Sequence, residues 1–527
     1  GRDTFSNTIG EPNHTTSWFG RLNYSYLSRY LFTATFRADG SSKFAPDHHW
    51  GYFPAFAAAW RVSDEPFMAG TKDWLSNLKL RLSYGESGSD DISAAMWRET
   101  WKTSSINVDG ETKTIYVPGD MKGNPDLKWE TTVSRNLGID FGFLDGRING
   151  SLDFYYNNTK NLLMVVPVNE ASGYSYQYQN VGKTENKGIE LAFNYNIVRT
   201  KDFNLSLNAT YNYNHNKVKE LVDGVTADAQ TWWGSSMRLP HYDYMIRVGK
   251  PVGTIQGYRA LGYYTLDDFN YANGVYTLKD GVPDIKGIVN YPANLYKNNR
   301  PAGQNAFPGM VKFADVTDDG VVDDNDATDI GHVVPQHTGG FNILGNWKNI
   351  DFSLGFTYAI GGKVYNANAM HDMMGNKDNM LGANRLDIVS KCWKSYNVDA
   401  NGNLYQVTDP AELAALNTGA KYALPYSEYG LVSSQFVEDA SYLRLQNLTL
   451  GYTFPKTWMQ SIGLTNLRVY FTASNLFVIT GYSGLDPDVN TNPNAGNGSS
   501  KIFPTPNYDY QAYPKTRSYT FGLNLTF

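Results

Sequence analysis

Apolar and polar residues alternate along the last stretch of the chain: Tyr519, Phe521, Leu523, Leu525 and Phe527 are interleaved with Thr520, Gly522, Asn524 and Thr526. Successive side chains of a β-strand point to opposite faces, so this spacing predicts a strand with one apolar and one polar side. The pattern recurs. Leu205, Leu207, Ala209, Tyr211 and Tyr213 alternate with Asn204, Ser206, Asn208, Thr210 and Asn212. Ile189, Leu191, Phe193, Tyr195 and Ile197 face away from Glu190, Asn194 and Asn196. Leu78, Leu80, Leu82 and Tyr84 oppose Lys79, Arg81 and Ser83, and Phe352, Leu354, Phe356 and Tyr358 repeat the rhythm. Ribbons of this kind fold where one face meets an apolar medium and the other meets water.

That medium is either a second sheet or lipid. The alternating stretches run to ~10 residues, longer than most soluble strands and matched to a tilted membrane span. Aromatic residues, 14% of the chain with 38 tyrosines, gather near the strand ends, where interfacial girdles sit. The longest apolar runs, such as 52–60, fall short of the ~18 residues that mark a membrane helix. The fold class expected is therefore all-β, a transmembrane antiparallel barrel. The alternative is a soluble β-sandwich, in the manner of a secreted calcium-binding adhesin or lectin.

Charge and cysteine content narrow the function. The formal net charge is −6, without a basic block, which argues against a nucleic-acid partner. Cys392 is the sole cysteine, so neither an intrachain disulfide nor a cysteine-based metal site is available. The first residues, "GRDTFSNTIG", lack an initiator Met and a signal-peptide pattern and read as the interior of a longer protein.

About thirteen strands are predicted, over 18–27, 30–38, 52–62, 75–86, 130–142, 148–158, 186–197, 203–214, 339–348, 351–362, 441–454, 466–480 and 517–527. If the last one descends to the periplasm, the connections alternate in length as a membrane barrel requires. The short ones are 28–29, 63–74, 143–147, 198–202, 349–350 and 455–465; the long ones, 87–129, 159–185, 215–338, 363–440 and 481–516, lie outside the cell. A further strand-like stretch, 252–264, fits only within the 215–338 loop. The odd strand count and the unsatisfied edges predict further wall strands before Gly1.

Several phrases resemble the SusC/RagA family of TonB-dependent outer-membrane transporters. They include "NPDLKWETTVSRNLGIDFGFLDGRINGSLDFYYNNTKNLL" (124–163), "QNVGKTENKGIEL" (179–191), "DVTDDGVVDDNDATDIG" (315–331), "SYLRLQNLTLGYTFP" (441–455), "NLRVYFTASNLFVITGYSGLDPDV" (466–489) and "YPKTRSYTFGLNLTF" (513–527). The resemblance runs nearly end to end. It implies a barrel of about 22 strands around an N-terminal plug, with about nine strands and the plug outside these residues. It also implies a TonB contact, a SusD-like surface lipoprotein as lid, assembly as a dimer of transporter–lipoprotein pairs, and import of oligosaccharides or peptides. A TonB-dependent receptor for siderophores or cobalamin shares the barrel but not the lid.

One motif carries ion-binding logic. Numbered as a calcium loop, Asp315, Thr317 and Asp319 take positions 1, 3 and 5, Gly320 the turn at 6, Val321 the carbonyl at 7, and Asp323 and Asp326 positions 9 and 12. Oxygen ligands at this spacing suit Ca²⁺, although Thr317 is neutral and Asp326 is shorter than the usual glutamate. An acidic surface turn that binds nothing has the same composition. Trp232 and Trp233, in a long outer loop, are the candidates for contact with substrate or lid. No catalytic motif is evident, and an enzyme is not expected.

Overall fold

The computed structural model of the chain describes residues 13–222, 227–230, 244–289, 291–373, 390–425, 432–461, 463–489, 507–509 and 512–527. Its frame is one sheet of 13 strands, hydrogen-bonded in chain order, with all neighbours antiparallel. The strands are β1 (Thr15–Tyr26), β2 (Tyr30–Ser41), β3 (Trp50–Arg61), β4 (Leu75–Ser89), β5 (Glu130–Phe143), β6 (Ile148–Lys160) and β7 (Lys183–Arg199). They continue with β8 (Phe203–Glu220), β9 (His337–Trp347), β10 (Ile350–Ile360), β11 (Tyr442–Thr453), β12 (Asn466–Thr480) and β13 (Ser518–Thr526). Each predicted wall strand is present. The stretch at 252–264 instead forms Thr254–Gly257 and Ala260–Tyr263, which pair with strands inside the same outer connection, as the alternation of short and long links required.

The register lines the apolar residues up. Tyr24, Phe32, Ala58, Leu82, Leu137, Phe154, Ile189 and Tyr213 are successive cross-strand partners from β1 to β8. Two residues along, Tyr26, Tyr30, Trp60, Leu80, Ile139, Leu152, Leu191 and Tyr211 form a parallel row. Among the described residues no second layer covers this face: Phe32, Phe56 and Leu82 remain 50%, 56% and 62% exposed. A sandwich would clasp this face between sheets. Here it is bare, which excludes the sandwich and fits a lipid-facing band. Exposed Phe67, Trp74, Trp347 and Trp458 sit at the short turns, where an aromatic girdle belongs. Among the described residues β1 pairs only with β2, and β13 only with β12.

The opposite face is polar and internally braced. Arg81 on β4 donates to Asp140 at 2.8 Å and reaches over β5 to Asp153 on β6 at 2.9 Å. Arg468 on β12 likewise reaches over β11 to Asp351 on β10, with contacts of 3.0 and 2.6 Å. Both spans cross a glycine. A Cβ on Gly138 would lie 2.6 Å from Arg81 Nη2 and from Asp153 Oδ1; one on Gly451 would lie 2.4 Å from Arg468 Nη2 and 2.6 Å from Asp351 Oδ1. Gly451→Leu should therefore split the Arg468–Asp351 bridge and destabilise the wall by about 1–3 kcal/mol, read from urea unfolding in detergent. Gly85→Ala, whose Cβ would meet only the Ala55 methyl at 3.4 Å, should be tolerated.

The long connections are folded bodies. Those at 221–336 and 361–441 share one core, including Tyr258, Tyr264, Tyr276, Tyr296, Phe307, Phe313, Trp393 and Leu413. Lys363–Asn366 pairs antiparallel with Val437–Asp439 of the same connection and parallel with Tyr508–Asp509 of the connection after β12, so two outer connections meet in one small sheet. The strands here are two to five residues long, which is why no sustained alternation announced them.

Candidate functional site

The acidic segment 315–326 lies inside this outer body. Val321–Val322 pairs parallel with Asp284–Ile285, and Val322 is fully buried. Gly320 adopts a φ of +84°, the left-handed turn expected at the sixth position. The carboxylates fold the loop onto itself. Asp315 Oδ1 accepts from the backbone N–H of Asp318 at 2.7 Å, and Oδ2 from Gly320 at 2.8 Å. Asp319 accepts from Val321 N–H and Asp323 from Asn325 N–H.

Asp326 is the buried member, fully shielded from solvent. Its Oδ1 accepts from the N–H groups of Val316 and Thr317 at 2.7 and 3.0 Å and from the Thr317 hydroxyl at 3.1 Å; Oδ2 accepts from Asp323 N–H at 2.8 Å. Burial pushes this carboxyl up, but the donors from Asp323, Thr317 and Val316 outweigh burial and hold it below the ordinary aspartate range. The stabilisation is therefore present above the unfolded value of about 3.9 and is lost as pH falls through the lower folded value. Asp326→Ala should loosen the loop at neutral pH by about 2–3 kcal/mol, seen as lost amide-exchange protection over 315–326. In this arrangement Asp326 clamps the loop. Asp315, Thr317, Asp319, Val321 and Asp323 lie along the partly exposed rim. Among the described residues, no three His, Cys, Asp or Glu side chains are grouped so as to hold a metal ion.

Trp232 and Trp233 lie outside the described residues. Tyr176 and Tyr178, from the tyrosine row at 172–180, meet edge to face, and Tyr178 packs against the small core of Phe44, Ile92 and Leu127. Sequence reasoning missed Arg444 and Asp486. These two form a buried ion pair at 2.7 Å between β11 and the outer segment 481–489. Asp486 also caps Asp488 N–H at 2.9 Å, and Arg444 lies over the Tyr442 ring. The strand pattern could mark Arg444 as facing the interior, but nothing local marks its partner 42 residues away.

Comparison with known proteins agrees with this architecture. A family model described as TonB-dependent receptor-like, beta-barrel, matches residues 2–315. TonB-dependent receptor P3 of Formosa agariphila is 31% identical over 97% of this chain and 45% of its own length. TonB-dependent receptor SusC of Bacteroides thetaiotaomicron is 30% identical over 98% of this chain and 44% of its own length. The solved RagAB peptide transporter superposes with a TM-score of 0.71 at 23% identity, covering 98% of this chain and 48% of that one. The chain thus spans about half the length of the relatives it matches. None of these names describes an enzyme. A single antiparallel wall with a bare apolar face, together with a family match over more than half its residues, shows that the chain belongs to the TonB-dependent receptor-like β-barrel family of outer-membrane proteins.

Proposed function

We propose that this chain forms wall and outer loops of an active importer that takes up oligosaccharides, or peptides, across the outer membrane. The importer is energised through TonB and works with a SusD-like surface lipoprotein as lid. Solute is captured between lid and barrel, and TonB-driven rearrangement of a plug then admits it to the periplasm. The observation that carries the reading is the union of a lipid-facing wall with a large folded outer body, in a chain similar to SusC and to the RagAB transporter. The test uses the full-length protein in its own cells. A surface lipoprotein should co-purify with it, and uptake of a labelled oligosaccharide or peptide should stop when TonB is disrupted. Purification without a lipoprotein, together with TonB-dependent uptake of an iron chelate, would instead assign a siderophore receptor.

A second proposal concerns Asp315, Thr317, Asp319, Val321, Asp323 and Asp326. The spacing and the left-handed Gly320 support weak Ca²⁺ binding on the outer side. Ca²⁺ at about 100 times its Kd should stabilise the outer body by ~2.7 kcal/mol over the same protein in EDTA. Identical unfolding in EDTA and in Ca²⁺ well above the ~1 mM ceiling of extracellular modules would leave Asp326 as a structural clamp alone.

A further inference from the structure

Between β4 and β5 the chain raises a separate two-stranded hairpin, Trp101–Val108 paired with Glu111–Pro118. The turn is Asp109–Gly110, with φ of 56° and 84°, the geometry of a tight hairpin turn that fixes register. The two faces differ sharply. One carries Lys102, Ile106, Glu111 and Lys113, with Ser104, Val108, Ile115 and Val117 half-covered beneath. The other carries Trp101, Thr103, Ser105, Asn107, Thr114 and Tyr116, all exposed and none charged. Trp101 and Tyr116 stay 60% and 76% exposed.

Trp101 faces Pro118 and Thr103 faces Tyr116, so Trp101 and Tyr116 occupy diagonal cross-strand positions on one face, a backbone spacing of ~7–8 Å. Hydroxyl and amide groups continue the same surface toward the turn. Aromatic planes stack on the C–H faces of sugar rings, and adjacent hydroxyls and amides read sugar hydroxyls. The absence of charge on this face complements an uncharged ligand, whereas an acidic polysaccharide or a lipid phosphate would call for cations. We propose that this face is a binding platform for an uncharged oligosaccharide, with Trp101 and Tyr116 as stacking residues. The proposal rests on the importer reading, which puts the hairpin outside the cell.

The test uses full-length protein in detergent, titrated calorimetrically with maltoheptaose, laminarihexaose and mannohexaose, and with hexagalacturonate as the acidic comparison. At least one neutral oligosaccharide should bind. Trp101→Ala and Tyr116→Ala should each weaken that binding about tenfold or more, while Trp101→Phe keeps most of it and Lys102→Ala is silent. Unfolding temperatures should not move. The proposal is overturned if no neutral oligosaccharide binds, if both alanine variants bind as the parent does, or if hexagalacturonate is preferred. It also falls if the variants instead lose a co-purifying polypeptide or self-association, which would make the face a protein interface. Hairpin-dependent binding with TonB-independent uptake would sink the importer reading and leave the platform standing. TonB-dependent uptake with normal binding in both variants would do the reverse.

Discussion

Asp486→Ala should detach the outer segment 481–489 from the barrel mouth at a cost of about 3–5 kcal/mol. The partner is Arg444, and both side chains are about 95% shielded, at 6% and 5% exposed. Removing the carboxylate leaves the guanidinium desolvated without a counter-charge, and that penalty exceeds the net worth of the bridge itself. The expected readout is loss of amide-exchange protection across 481–489, with a smaller fall in overall thermal stability. Replacing the pair together, by Arg444→Met and Asp486→Leu, should cost much less, because no charge is then buried alone. Equal losses for the single and double variants would mean that packing, and not charge, holds the segment.

Leu82→Arg should destabilise the folded barrel by about 2–4 kcal/mol when its site lies near the bilayer midplane, whereas Ser83→Arg, one residue on, should cost well under ~1 kcal/mol. Leu82 stands in the row Phe32–Ala58–Leu82–Leu137, and Ser83 stands opposite Ala57 and Asn136 on the other face. An arginine on the first face is placed in hydrocarbon, and one on the second is placed in the lumen. Urea unfolding of the full-length protein in lipid vesicles measures both. Equal costs at the two positions would contradict the assignment of the faces.

The wall was readable because its information is local and repeated. Leu78, Leu80 and Leu82 against Lys79 and Arg81 specify a two-faced strand without reference to any partner, and the short links at 28–29 and 143–147 fix the order of pairing. The family resemblance named the same architecture from phrases spread along the chain. The outer body was not readable in this way. Its strands, such as Val311–Phe313 and Val321–Val322, are too short to show a period, and Tyr258, Phe313, Trp393 and Leu413 meet in one core from distant parts of the sequence. The acidic spacing at 315–326 was visible, but only the folded loop shows Asp326 fully buried and turned upon Val316, Thr317 and Asp323.

The sequence by itself determined the two-faced strands, their number and order, and the end at which long connections gather, because alternation and link length act between neighbours along the chain. The tertiary structure decided that two outer connections fold as one body, that Arg444 finds Asp486, and that glycines at 138 and 451 let Arg–Asp bridges cross a strand. Those outcomes depend on contacts between residues far apart in sequence, where burial and the need to pair a desolvated charge select the partner and no local pattern records the choice.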